Sequence, residues 1–189
     1  MIYTKKIQKA ISFAINTHKK QFRKGKDVPY IIHPFSVALI LSRVTKSEDI
    51  ICAGLLHDTI EDCDPEGLVT KEILEKGFGP AVAEMVNDVT EQNKTLSWAE
   101  RKRLALEHVK NMKSNSILVK SADVLHNLTD QINDYKNEGE DMFKRFNAKK
   151  EAQLNRYTNL IGEIEKAYQG NPLLPDLKTA LEEVQKLWS

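Results

Sequence analysis

The chain has 189 residues, 41% hydrophobic and 29% charged, with a formal net charge of +1. That is the size and composition of one soluble globular domain with a sizeable core, and the charge balance argues against broad nucleic-acid binding. No apolar run approaches the roughly 20 residues that span a bilayer, and two cysteines, Cys52 and Cys63, form no C-x-x-C pair from which a zinc ribbon could be built.

The N-terminus, Met1-Ile2-Tyr3-Thr4-Lys5-Lys6, has no apolar h-region and no small-residue cleavage site. A cytoplasmic protein with reduced thiols is the expectation. No repeat or low-complexity linker interrupts the chain. Ile7, Ala10, Ile11, Ala14 and Ile15 recur at helical spacing, and Val37, Ile40, Leu41 and Val44 do so after a break at Pro34. Ser47 followed by Glu48 and Asp49 caps a helix expected to run to about Asp62. Thr70 opens a short helix that Gly77 would end, and Pro80 suits the first turn of the next. Ser97 and Glu100 have capping-box spacing, with Leu104, Leu106, Val109 and Met112 following.

Leu118, Ala122, Leu125, Leu128 and Ile132 define another helix, and a long charged helix is expected directly after Gly139. Asn171, Pro172 and Pro175 separate it from a last short helix ending near Trp188. No stretch alternates as a strand does. The fold class expected is all-α, with residues 1–170 as one domain and 171–189 as a helical tail packed on it. Self-association stays open.

Three segments carry ionisable groups out of keeping with their apolar surroundings: Tyr30-Ile31-Ile32-His33-Pro34, His57-Asp58-Thr59-Ile60-Glu61-Asp62 and Lys120-Ser121-Ala122-Asp123 through Asn127. On a continuous helix His57 would share a face with Glu61, and Asp58 with Asp62. Three carboxylates near a helix C-terminus oppose the dipole and call for positive charge. Carboxylates alone would read as a solvated helix end, but a histidine and an aspartate directly after Leu55-Leu56 favour a cation. Asp123 lies at the edge of an apolar helix face, where a carboxylate needs a partner or a metal. Two imidazoles with two carboxylates suit an exchangeable divalent ion such as Mn²⁺, Fe²⁺ or Zn²⁺ rather than a structural zinc.

His33, the His57-Asp58 pair and Asp123 match the H…HD…D signature of the HD superfamily. Arg23-Lys24, Pro29-Tyr30-Ile31-Ile32-His33-Pro34, His57 through Asp62, Phe78-Gly79, Val89-Thr90, Glu100-Arg101-Lys102 and Lys120 through Asp123 resemble the hydrolase domain of RelA/SpoT homologues. Lys94-Thr95-Leu96 followed by Glu100 to Arg103 is most similar to the stand-alone small alarmone hydrolases. The likeness runs from about Thr4 to about Ile161.

The resemblance implies a compact helical HD domain, and Mn²⁺ held by His33, His57, Asp58 and Asp123. It implies hydrolysis of (p)ppGpp to GDP or GTP plus pyrophosphate, with Glu61 and Asp62 as the acidic pair that positions or deprotonates the attacking water. Arg23 matches the residue that packs on the nucleobase, Lys24 a phosphate contact, and Asn127 a residue near the sugar and phosphates. Thr129 stands where the family commonly has Arg. This keeps open the same chemistry on (p)ppApp or the 2′-phosphate of NADPH. A non-catalytic alarmone-binding module is the reading of a different class, and the intact Glu61-Asp62 pair argues against it. The partner expected is a small nucleotide, not nucleic acid or membrane.

Several residues are set aside. Arg145, Lys149, Lys150 and Arg156 read individually as solvated helix faces, and so do Arg101, Lys102 and Arg103. Cys63 reads as a bystander thiol. His18 and His108 carry no motif, and His126 is expected to be structural.

Overall fold

Nine α-helices form among the described residues, 3–61, 69–91 and 95–189, of this computed structural model. In chain order they are α1 (Lys5–His18), α2 (Ile32–Val44), α3 (Glu48–Leu56), α4 (Lys71–Phe78), α5 (Pro80–Val89), α6 (Trp98–Val109), α7 (Ser114–Glu138), α8 (Lys150–Ala167) and α9 (Leu174–Leu187). A 3₁₀ segment, Gly139–Arg145, follows α7. The only β-type pairing among the described residues is an isolated bridge between Phe22 and Pro29. The all-α expectation holds, and no described helix is long and apolar enough to cross a membrane.

Polar side chains fix where four helices begin. The hydroxyls of Thr4, Ser47, Thr70 and Ser97 accept from the backbone N–H three residues on, at 3.3, 3.4, 3.4 and 3.2 Å, each satisfying a donor the helix leaves open. Only half of the capping box at Ser97 forms, because the Glu100 carboxylate turns to Arg103 at 2.8 Å.

Helix α7 runs through the middle, against α2, α3, α5, α8 and α9. Its buried Ile117, Val119, Ala122, Val124 and Leu128 meet Leu41, Leu56, Val86, Ile164 and Leu177 in one continuous core. Each such large side chain stabilises the fold by about 1.5–3 kcal/mol relative to exposure. Helix α9 lies on α7 and α8, burying Leu177 and Val184, and Trp188 packs edge-on against Phe143 with ring centroids 5.0 Å apart.

Four boundaries differ from the sequence reading. Helix α3 ends at Leu56, not near Asp62, and residues 57–61 form turns. The cause is local: the Leu56 carbonyl accepts both the Thr59 N–H (3.0 Å) and the Thr59 hydroxyl (2.7 Å), which draws the chain out of the α-helical ladder. Gly77 lies inside α4, and Gly79, with φ of +90°, ends it. Pro34 sits in the first turn of α2, where its missing N–H is tolerated. After Gly139 comes the 3₁₀ segment, and α8 starts only at Lys150.

Candidate metal centre

Three elements bring the motif histidines and aspartates together. His33 stands in the first turn of α2, His57 and Asp58 directly follow α3, and Asp123 is in mid-α7. His33 Nε2 lies 3.1 Å from His57 Nε2, 3.4 Å from Asp58 Oδ2 and 3.4 Å from Asp123 Oδ1. His57 Nε2 is 3.0 Å from Asp58 Oδ2 and 3.9 Å from Asp123 Oδ1. Both imidazoles are about 98% buried, and Asp123 is 8% exposed.

Neighbours set the orientation of each group. His57 Nδ1 donates to the Gly54 carbonyl at 2.8 Å, which turns Nε2 to the cluster. Tyr30 donates its hydroxyl to Asp58 Oδ2 at 2.6 Å. Asp123 accepts from Lys120 Nζ at 2.9 Å and from Asn127 Nδ2 at 2.6 Å. Lys120, Asp123 and Asn127 share a face of α7 because they are three and four residues apart. His126 Nδ1 lies 2.8 Å from His33 Nδ1.

His33, His57 and Asp58 each offer one ligand atom within 4.8 Å of the others, a grouping that could hold one cation, and Asp123 Oδ1 adjoins it 3.4 Å from His33 Nε2. Ligand atoms about 2.1 Å from a common ion lie roughly 3.0–3.4 Å apart at octahedral or tetrahedral angles, and most of the separations here fall in or close to that range. The electrostatics agree. Burial disfavours ionisation of Asp58, but His57 and His33 outweigh it and hold the carboxyl well below the usual range. Asp123 is held low by Lys120 and the same imidazoles, against burial. Burial would lower the His57 pKa, but Asp58 and Asp123 lift it to about 9. Two buried anions therefore draw positive charge to the imidazole nitrogens, from a proton or a metal ion.

Glu61, at the end of the turns, acts electrostatically on Lys120, the partner of Asp123, and its Oε2 accepts the Glu91 N–H at 3.1 Å. It does not share a helical face with His57, because no α-helix continues there. Asp62 and Cys63 lie outside the described residues.

Arg23 and Asn127 are also brought together: Arg23 Nη2 donates to Asn127 Oδ1 at 3.1 Å. Arg23 further grips Asp130 Oδ2 through Nη2 (2.7 Å) and Nε (3.3 Å), and its guanidinium lies 5.7 Å from the Tyr30 ring centroid. Lys24 reaches away from this group, to Asn147 Oδ1 at 3.3 Å on the exposed side. The Thr129 hydroxyl turns back on its own helix, to the Leu125 carbonyl at 2.9 Å.

Three features went unread in the sequence. Asp130 carried no motif, yet it anchors Arg23. His126 touches a metal-site imidazole: three residues on is only about 60° short of a full turn, so His126 and Asn127 flank the direction of Asp123. Arg101 and Lys102 do not face solvent. They turn inward onto Glu91, Arg101 at 3.1 Å, while Arg103 alone takes the outer face with Glu100 and Glu107. Burial and the nearby Arg156 lower the Lys102 pKa despite Glu91. A cleft of about 720 Å³ between the end of α5, α6 and α8 is lined by these cations together with Lys120 and Arg156. Arg145 is taken up by Asp134 (3.2 Å) and Glu138 (2.7 Å), and Lys150 by Glu140 (2.8 Å).

Residues 10–153 match the HD domain family, and the chain belongs to that family. Over 127 residues it is 44% identical to the guanosine-3′,5′-bis(diphosphate) 3′-pyrophosphohydrolase MESH1 of Xenopus tropicalis, covering 66% of this chain and 68% of that one. The corresponding protein of Homo sapiens is 43% identical over 124 residues, covering 64% and 66%. Among solved structures, one described as "A metazoan ortholog of SpoT hydrolyzes ppGpp and plays a role in starvation responses" superposes with a TM-score of 0.77 at 28% identity. That superposition covers 98% of this chain and 97% of the other.

Proposed function

We propose that this protein hydrolyses the 3′-pyrophosphate of (p)ppGpp, giving GDP or GTP and pyrophosphate. The observation that supports this most is the convergence of His33, His57 and Asp58, with Asp123 Oδ1 3.4 Å from His33 Nε2. The MESH1 proteins it resembles are guanosine-3′,5′-bis(diphosphate) 3′-pyrophosphohydrolases by name. These four residues would hold one divalent ion, Mn²⁺ in our reading, which when bound polarises a phosphoryl oxygen and acidifies water.

The remaining work falls to the chain's own side chains. Glu61, with Asp62, takes the proton of the attacking water. The water oxygen joins the phosphorus attached to the 3′ oxygen, the bond to that 3′ oxygen breaks, and pyrophosphate and the nucleoside 3′-hydroxyl result. Asn127 lies between the metal ligands and Arg23, as a contact to the sugar and phosphates requires. Arg23 offers its guanidinium plane to the nucleobase, and Lys24 would have to leave Asn147 to contact phosphate. Lys120, Asp123, Asn127 and Asp130 step along one side of α7 over ten residues, roughly 15 Å.

Residues 1–170 would act as the hydrolase domain, with 171–189 as its packed tail, in the cytoplasm. Because the Thr129 hydroxyl is spent on its own helix, the guanine preference is the part of this reading most open to (p)ppApp or NADPH. The test is product analysis with Mn²⁺ across ppGpp, pppGpp, ppApp and NADPH. Pyrophosphate and GDP from ppGpp are expected. Unchanged ppGpp with every divalent ion, or release of single phosphates, would refute it. Asp58→Ala should abolish metal retention. Glu61→Ala should keep the metal and lose about 10²–10⁴-fold in rate, and intact turnover in that variant would remove Glu61 from its role.

A further inference from the structure

We propose that His126 is a positioning residue for the metal centre: its Nδ1 accepts the Nδ1–H of His33 and so holds the His33 ring with Nε2 turned to the ion. The geometry leaves little freedom. The two Nδ1 atoms are 2.8 Å apart, with ring centroids at 4.8 Å and planes tilted by 52°. At that separation one proton lies between them, since two bare nitrogens repel and two N–H groups collide.

The other end of each ring decides which nitrogen carries it. His33 Nε2 faces His57 Nε2, Asp58 and Asp123, so it must be bare to serve a cation. The proton of a neutral His33 is then on Nδ1, and His126 is bare at Nδ1 and protonated at Nε2. His57 has the matching arrangement, with Nδ1 given to the Gly54 carbonyl. The backbone thus orients one imidazole, and His126 orients the other. A histidine ligand whose second nitrogen is held in this way has both its ring angle and its tautomer fixed.

A consequence concerns α7. This helix presents Asp123 directly and reaches a second ligand, His33, through His126 three residues later. The register of one helix therefore sets two of the four donors, although His33 belongs to α2.

The inference rests on His33 being a metal ligand and not on the identity of the substrate. The experiment compares full-length wild type, His126→Leu and His126→Asn by equilibrium dialysis against Mn²⁺ with elemental analysis, together with the nitrogen-proton correlations of the histidine rings by NMR. The Leu variant should bind Mn²⁺ about 10–100-fold more weakly, with the unfolding midpoint of the metal-free protein unchanged. The Asn variant, whose amide oxygen can accept in place of Nδ1, should recover most of that loss.

In wild type loaded with diamagnetic Zn²⁺, His33 should show an Nδ1–H and His126 an Nε2–H, a readout that needs no variant to fold. The opposite tautomers, wild-type affinity in the Leu variant, or an Asn variant as weak as Leu would each overturn the assignment. Wild-type protein that retains Mn²⁺ but leaves ppGpp intact would overturn the substrate reading and leave this one standing. Wild-type protein that retains no metal would overturn this one.

Discussion

Arg23 crosses from the segment before α2 to Asn127 and Asp130 of α7, and Lys26 reaches Asp130 from the same turn, at 3.3 Å. Burial alone would raise the Asp130 pKa, but the Arg23 and Lys26 contacts hold it below its ordinary value. A depressed carboxyl pKa stabilises the fold fully above the unfolded value of about 3.9 and loses that contribution as pH falls through the folded value. Asp130→Asn should therefore lower unfolding stability by about 1–3 kcal/mol near neutrality, and the gap to wild type should begin to narrow below about pH 4. Denaturant titrations at pH 7 and pH 3 check this. A gap that is constant with pH would show that the carboxylate charge is not what matters.

At this scale the sequence singled out His33, His57, Asp58 and Asp123 as candidate ligands, because His and Asp embedded among Leu and Ile are costly to bury unless a cation or a partner compensates them. It did not disclose Asp130 or His126, because their partners, Arg23 and His33, approach from elements about a hundred residues away. Periodicity along one helix cannot show this.

Among the elements, the α2–α3 crossing does most to place the centre, since α2 supplies His33 and α3 ends at His57. The two helices approach closely at Gly54, where an added Cβ would stand 2.5 Å from Leu41 Cδ1, with Val37 Cγ1 at 3.4 Å. Leu41 is fully buried, so its Cδ1 would have to shift within the core. Gly54→Ala would gain about 1 kcal/mol in helix propensity against about 1–3 kcal/mol of overpacking. A net loss of up to about 2 kcal/mol is expected, with weaker metal binding because the same residue's carbonyl holds His57. Unchanged stability and unchanged Mn²⁺ affinity would contradict the close approach of the two helices as the limiting feature.

Helix existence was legible nearly throughout, since apolar spacing and the Ser and Thr caps are local signals. Helix ends were not, where side chains compete for the last carbonyls. Thr59 and His57 stop α3 five to six residues before the sequence pattern does. A glycine two residues beyond Gly77 supplies the positive φ that ends α4.

For the whole molecule, the candidate centre gathers two imidazoles and two largely buried carboxylates from three separate parts of the chain. Any ion that binds only this folded arrangement stabilises all of it. At a concentration 100 times its dissociation constant the gain is about 2.7 kcal/mol. For a chain of this size that raises the midpoint of thermal unfolding by roughly 5–10 °C. Chelation should lower the midpoint by that amount and re-addition of Mn²⁺ should restore it, while the Asp58→Ala variant should not respond. An equal midpoint with and without chelator would mean that no ion is held.

The thiol of Cys52 adds no redox chemistry to this picture. It is fully buried in the core, and burial pushes its pKa up to about 12.

Shared coordination of a single ion is tested most directly by an anomalous-scattering map from crystals of the full chain grown with Mn²⁺. One strong peak is expected within about 2.0–2.3 Å of His33 Nε2, His57 Nε2, Asp58 and Asp123 together. A peak bonded to only some of these side chains while others stay turned away, or no peak among them at all, would contradict it.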